Sequence, residues 1–166
     1  LLSFFMNRLQ VLLKSENISA DCVDAVFGLN IDDVVDVAER ATALQSFLKG
    51  EDGAALHGAY KRAANILGDI NLPKDSVNAE LLQETAERDL FAKIESVGGN
   101  VNNQLKDESY KEAMKSLSEL RGPIDQFFSD VMVMVDDEAV KQNRLLLLSS
   151  MTSLLGRVAD FKRVSG

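Results

Sequence analysis

The sequence predicts an all-α protein, a bundle of about seven or eight helices forming one domain over 1–166. Apolar residues recur at every third or fourth position through most of the chain, and no strand-like alternation of useful length appears. Hydrophobic residues make up 46% of it, with ten Gly and only two Pro, which suits a folded helical chain with a substantial core. Capping and stopping residues punctuate the periodic runs.

A first helix is predicted over 2–15, burying Phe5, Leu9, Leu12 and Leu13. Ser19 is placed to cap a short helix carrying Val23, Val26 and Phe27, with Gly28 as its stop. Asn30 caps the next, whose first turn holds Asp32 and Asp33 where the helix dipole favours acids. Its apolar stripe is Val34, Ala38, Ala41, Leu44 and Leu48, and Gly50 ends it. Asp52 or Gly53 opens a helix through Leu67, stopped by Gly68. The stretch 69–77, containing Pro73, reads as a long connection. Asn78 then caps a helix to about Val97, closed by Gly98 and Gly99, and 100–106 reads as polar loop. Asp107 caps a helix bearing Tyr110, Met114, Leu117 and Leu120. Gly122 and Pro123 separate it from a helix with Ile124, Phe127, Phe128 and Val131, since proline suits a first helical turn. The last helix begins near Asp136 or Asp137 and runs toward Val164, with Gly156 as a candidate break.

Charge and composition narrow the function. A formal net charge of −8 argues at first against a nucleic-acid partner. The distribution softens that. The segment 21–56 carries eight acids against Arg40 and Lys49, whereas 139–166 sets Asp160 alone against Lys141, Arg144, Arg157, Lys162 and Arg163. Between 57 and 68, Lys61 and Arg62 stand with no acid at all. An acidic body can still present one basic surface to a phosphate backbone. Cys22 is the single cysteine, so there is no disulfide framework and no cysteine metal cluster, and a reducing, cytoplasmic setting fits. No apolar run approaches the roughly 18 residues needed to span a membrane. His57, the single histidine, sits at a helix start and reads as a surface residue; no His-based metal site can be built. Asp136, Asp137 and Glu138 read as dipole-matching acids opening a helix rather than as a cation site. These residues offer no catalytic constellation, no metal site and no cofactor site. The chain opens on Leu1, Leu2, Ser3, Phe4 and Phe5 with no methionine, as a piece of a longer polypeptide would.

Two stretches carry more information. In and just before 59–67, Leu56, Ala59, Ala63, Ile66 and Leu67 share the inward face of a helix, and Lys61, Arg62 and Asn65 lie together on the other. Two cations and an amide there can hold phosphates and bond a base edge, or can be a solvated helix face. The second stretch, 127–148, places Arg144 near the middle of a face made of Val140, Leu147, Leu148, Met151, Leu154, Leu155 and Val158. A cation in that phase is costly unless paired. An ion pair with Asp130, Asp136 or Asp137 is one reading and ligand contact the other. Lys141 and Asn143 fall at the edges of the same face. Phe127 and Phe128 read as core at their spacing with Ile124 and Val131, or as stacking surfaces for unpaired bases.

The run 60–67, the earlier stretches 43–48 and 7–12, and the block from Phe127 to Leu148 together resemble the C-terminal part of bacterial glycyl-tRNA synthetase β subunits. The final block, Val131 to Met134 followed by acids and then Asn143, Arg144 and Leu145, is similar to the DALR-type anticodon-binding domain shared with arginyl-tRNA synthetases. Motifs of the upstream regions of that subunit, including the HD-like region, are missing. The resemblance implies an all-helical module that binds the anticodon stem and loop of glycine tRNA. It implies a hetero-oligomer in which the α subunit carries the ATP-dependent aminoacylation site, the rest of the β subunit assembles with it, and this chain makes no bonds itself. By the same resemblance Lys61, Arg62 and Asn65 match a basic RNA-facing helix, and Lys141, Asn143 and Arg144 match the DALR-type helix. The alternative is a helical protein–protein module, its acidic helices in 21–56 docking on the rest of the subunit without RNA contact.

Overall fold

The computed structural model describes residues 7–8, 11–12, 16–27, 29 and 34–164, and the regular structure among them is entirely helical. We label the helices α1 (Ala20–Phe27), α2 (Val34–Lys49), α3 (Glu51–Leu67), α4 (Thr85–Lys106), α5 (Tyr110–Ser118), α6 (Arg121–Asp130) and α7 (Glu138–Val158). Short 3-10 turns lie at Ala79–Leu81 and Phe161–Arg163. Much of the predicted first helix, including Phe5, Leu9 and Leu13, lies outside the described residues, as do Gly28, Asn30, Asp32, Asp33 and the Val34 side chain. Leu12 is described and is exposed rather than buried, outside the core cluster.

Helix α7 is the centre of the assembly. It is apolar on most sides, burying Val140, Leu145, Leu147, Leu148, Met151, Leu154, Leu155 and Val158, and it packs on α3, α4 and α5. A helix hydrophobic nearly all round belongs in the interior. It starts where Asp137 accepts hydrogen bonds from the N–H groups of Ala139 (3.1 Å) and Val140 (3.2 Å), as an N-cap does. Gly156 does not break it; the helix runs on to Val158. The chain then turns through Phe161–Arg163, and the Asp160 N–H donates to the Ala25 carbonyl at 2.8 Å, tying this end to α1. Around α7, α2 packs on α1, α3 and α5, while α4 packs on α5 and α6.

Packing overrides local signals in the middle of the chain. Asn78 caps only the Ala79–Leu81 turn, and the long helix α4 starts at Thr85. It passes straight through Gly98 and Gly99 and through the expected loop 100–106, ending at Lys106. Glycine in a helix costs up to about 1 kcal/mol relative to alanine, but Val97 and Val101 on either side of the pair are fully buried. That burial holds the helix together. The reversal comes instead at Glu108, which takes a left-handed conformation (φ 58°) while the Ser109 N–H donates to the Gln104 carbonyl at 2.8 Å. Ser109, not Asp107, precedes α5. Gly122 and Pro123 sit in the first turn of α6, as proline's missing N–H favours.

Candidate nucleic-acid interface

Helix α3 presents the predicted trio. Leu56, Tyr60 and Ala63 are buried, with Ala59, Ile66 and Leu67 half-buried against the core, and this leaves Gly58, Lys61, Arg62 and Asn65 exposed along the opposite side. Two contacts tie the helix to α6. At its start, Arg121 of α6 reaches Asp52 at 3.0 Å and Glu51 at 3.8 Å. Further along, Arg62 lies over the Phe128 ring of α6, 4.4 Å from its centre. A Cβ added to Gly58 would meet nothing within 4 Å, so the face between Ala54 and Lys61 is low and open.

His57 is not on the surface. It is buried one turn before Lys61, in phase with Tyr60, and both rings pack on Phe161 of the C-terminal turn at 6.2 and 5.5 Å between centroids. Burial pushes the imidazole pKa down, and the Lys61 charge adds to that against a backbone hydrogen bond at Val164. A neutral imidazole there packs as an aromatic plate that seats α3 on the chain's end.

The trio expected on α7 has partners within the chain. Arg144 is 4% exposed and donates from Nε to Glu87 Oε1 at 2.8 Å and from Nη2 to Oε2 at 3.3 Å, while Nη1 donates to the Met132 carbonyl at 2.6 Å. The ion-pair reading holds in kind, but the acid is Glu87 of α4 and none of Asp130, Asp136 or Asp137. Those three are exposed, and Asp137 is spent on capping α7. Glu87 is 0% exposed and also accepts from the backbone N–H groups of Gln83 (3.0 Å) and Glu84 (2.8 Å). Burial alone would raise its pKa; the Arg144 hydrogen bond, the backbone donors and the Arg144 charge outweigh that and lower it.

Asn143 is buried too, at 2% exposed, rather than at an edge. Its amide oxygen accepts from the Asn78 N–H at 2.7 Å, and its amide nitrogen donates to the Asn78 carbonyl at 3.0 Å. That double bond to one residue pins the turn that precedes α4. Asn143→Ala leaves both backbone groups without their partner, so thermal or urea denaturation should show a loss of about 1–3 kcal/mol; an unchanged midpoint would show that water replaces the amide at no cost. Lys141 is half-buried and reaches Glu138 at 2.9 Å. Arg163 likewise pairs with Asp160 at 3.2 Å. Three of the five cations in 139–166, Lys141, Arg144 and Arg163, are therefore paired with acids. Phe127 is fully buried, as its spacing implied, and Phe128 is half-buried beneath Arg62.

Sequence reasoning missed Glu87. The signal was present: it shares one helical stripe with Leu90, Ile94 and Val97, an acid in an apolar phase matching an arginine in another.

Residues 56–160, from within α3 to the end of α7, match the DALR anticodon binding domain family. The chain belongs to this family. The match takes in the exposed trio of α3 and both partners of the Arg144–Glu87 pair. Outside the DALR region, similarity continues over α1 and α2. The chain is 43% identical to a glycine–tRNA ligase β subunit of Rhodospirillum centenum over 100% of its own length and 24% of that protein's. It is 42% identical to that of Magnetococcus marinus, over 96% of the chain and 23% of the relative, and 40% identical to that of Phenylobacterium zucineum, over 99% and 25%. The chain thus spans about a quarter of the length of the curated relatives it matches. Among the described residues no helix is long and apolar enough to cross a membrane.

Proposed function

We propose that this DALR domain binds the anticodon stem and loop of glycine tRNA as part of a glycine–tRNA ligase β subunit. The observation that carries the reading is the open face of α3, where Lys61, Arg62 and Asn65 stand exposed side by side within the family match. Lysine and arginine there meet phosphates, and the asparagine amide can bond a base edge. In this reading the domain contributes binding and specificity and makes or breaks no bond. ATP is consumed at the α subunit, which joins the β subunit in a cytoplasmic hetero-oligomer. No cofactor is held by this chain.

Lys61→Glu with Arg62→Glu should weaken glycine tRNA binding about tenfold to a hundredfold and reduce its salt dependence, because neutralised phosphates release counterions. Both side chains are exposed, so the fold should hold, with a stability loss limited to the Arg62–Phe128 contact, about 0.5–1 kcal/mol. A titration at two salt concentrations, with a non-glycine tRNA as control, is the measurement. Unchanged affinity and salt slope would exclude this face. A second reading, docking to protein rather than RNA, draws on Val11 and Leu12, exposed at 70% and 62%. Size exclusion of the chain with the α subunit and with tRNA separates the two.

A further inference from the structure

The open face of α3 contains an arrangement that phosphate binding does not require. A phosphate contact needs only an exposed cation, which Lys61 supplies. Arg62 is instead held in place, its guanidinium 4.4 Å from the centre of the Phe128 ring. Phe128 is itself braced edge-on by Phe127, with centroids 5.7 Å apart at 73°, and Phe127 is fully buried. Ordering a long side chain costs rotamer freedom. In return the planar cation is fixed while Arg62 remains exposed to solvent. Gly58, one turn earlier, leaves the approach unobstructed. Guanidinium planes and aromatic rings are the surfaces on which unpaired nucleobases stack.

Resting on the RNA-binding reading above, we propose that Arg62, shelved on Phe128, is the stacking platform for one unpaired base of a single-stranded RNA loop. Asn65, on the next turn, bonds the edge of that base, and Lys61 holds a flanking phosphate. Phe128 is a positioning residue that acts through Arg62.

The test places 2-aminopurine singly at each unpaired position of a glycine tRNA anticodon stem-loop and follows its fluorescence as the full-length protein is added. One position should change strongly on binding. Arg62→Lys keeps the charge and loses the plane: affinity should fall about tenfold, the salt slope should stay, and the fluorescence change at that position should vanish. Phe128→Leu should do the same, with Phe128→Tyr restoring both. If Phe128→Leu does not fold, Arg62→Lys alone decides. Wild-type affinity and fluorescence in Arg62→Lys, alongside lost binding in the Lys61→Glu, Arg62→Glu double variant, would overturn the shelf and leave the RNA face standing. No binding of the stem-loop by the unaltered protein would remove both.

Discussion

Glu87→Leu should cost about 3–5 kcal/mol, the largest loss from any single side chain described here. The substitution strands the Arg144 guanidinium, 4% exposed, with only the Met132 carbonyl to receive it. Arginine cannot escape by losing its proton. The reverse change is gentler. Arg144→Leu leaves Glu87 with the N–H groups of Gln83 and Glu84, and a carboxylate can also protonate. The double variant should recover much of the loss, since two apolar side chains can replace a buried pair at little net cost. Urea denaturation of the four proteins of this cycle gives the coupling directly. A loss below about 1 kcal/mol for Glu87→Leu would show that the pair is not the fastener its geometry suggests.

The same pair predicts an acid response. Glu87 has a lowered pKa in the folded state, so the stability it contributes is present above its unfolded value of about 4.3 and is lost as pH falls through the folded value. Glu87→Gln lacks that contribution at every pH. The stability gap between wild type and Glu87→Gln should therefore narrow as pH falls below about 4. A gap that stays constant down to pH 2 would count against the assignment.

The second large effect belongs to Gly53. Its Cβ, if it had one, would lie 1.9 Å from the Phe47 carbonyl oxygen and 2.5 Å from the carbon, both backbone atoms of α2. No rotamer change relieves that clash. Gly53→Ala must pry α3 away from α2, at an expected cost of about 2–4 kcal/mol, well beyond ordinary surface substitutions. Gly58 is the internal control, five residues on in the same helix. It has open space around it, so Gly58→Ala should gain about 0.5–1 kcal/mol from helix propensity. Opposite signs from two glycine-to-alanine changes on one helix are the outcome to look for. Equal gains would mean that the α2–α3 corner is looser than its backbone distances imply.

What could be read in the sequence followed period. The outward trio of α3 and the buried stripe of α7 both lie where a 3.6-residue repeat puts them. That Arg144 needed an acid was legible from its place among leucines. Glu87 carried its own signal, an acid in an apolar phase, but it was missed as the partner because it is 57 residues away and the packing of α4 on α7 brings the two together. Asn143 was misplaced for the same reason, its partners being the backbone groups of Asn78, 65 residues distant. His57 looked like surface because it was placed at a helix start, yet it lies inside α3, continues the stripe of Tyr60 and meets Phe161, far along the sequence. Gly98 and Gly99 looked like a stop, and the burial of Val97 and Val101 kept the helix going.

The exposed connection after α3, residues 69–76, buries no side chain fully. What joins the two sides of it is the packing of α2 on α5, of α3 on α6 and α7, and of α1 on the Phe161–Arg163 turn. A protease that nicks there would leave two polypeptides clasped in the native arrangement, and separately made halves should find one another on mixing. Cutting the linker turns an intramolecular contact into a bimolecular one, so how far the halves stay together depends on their concentration.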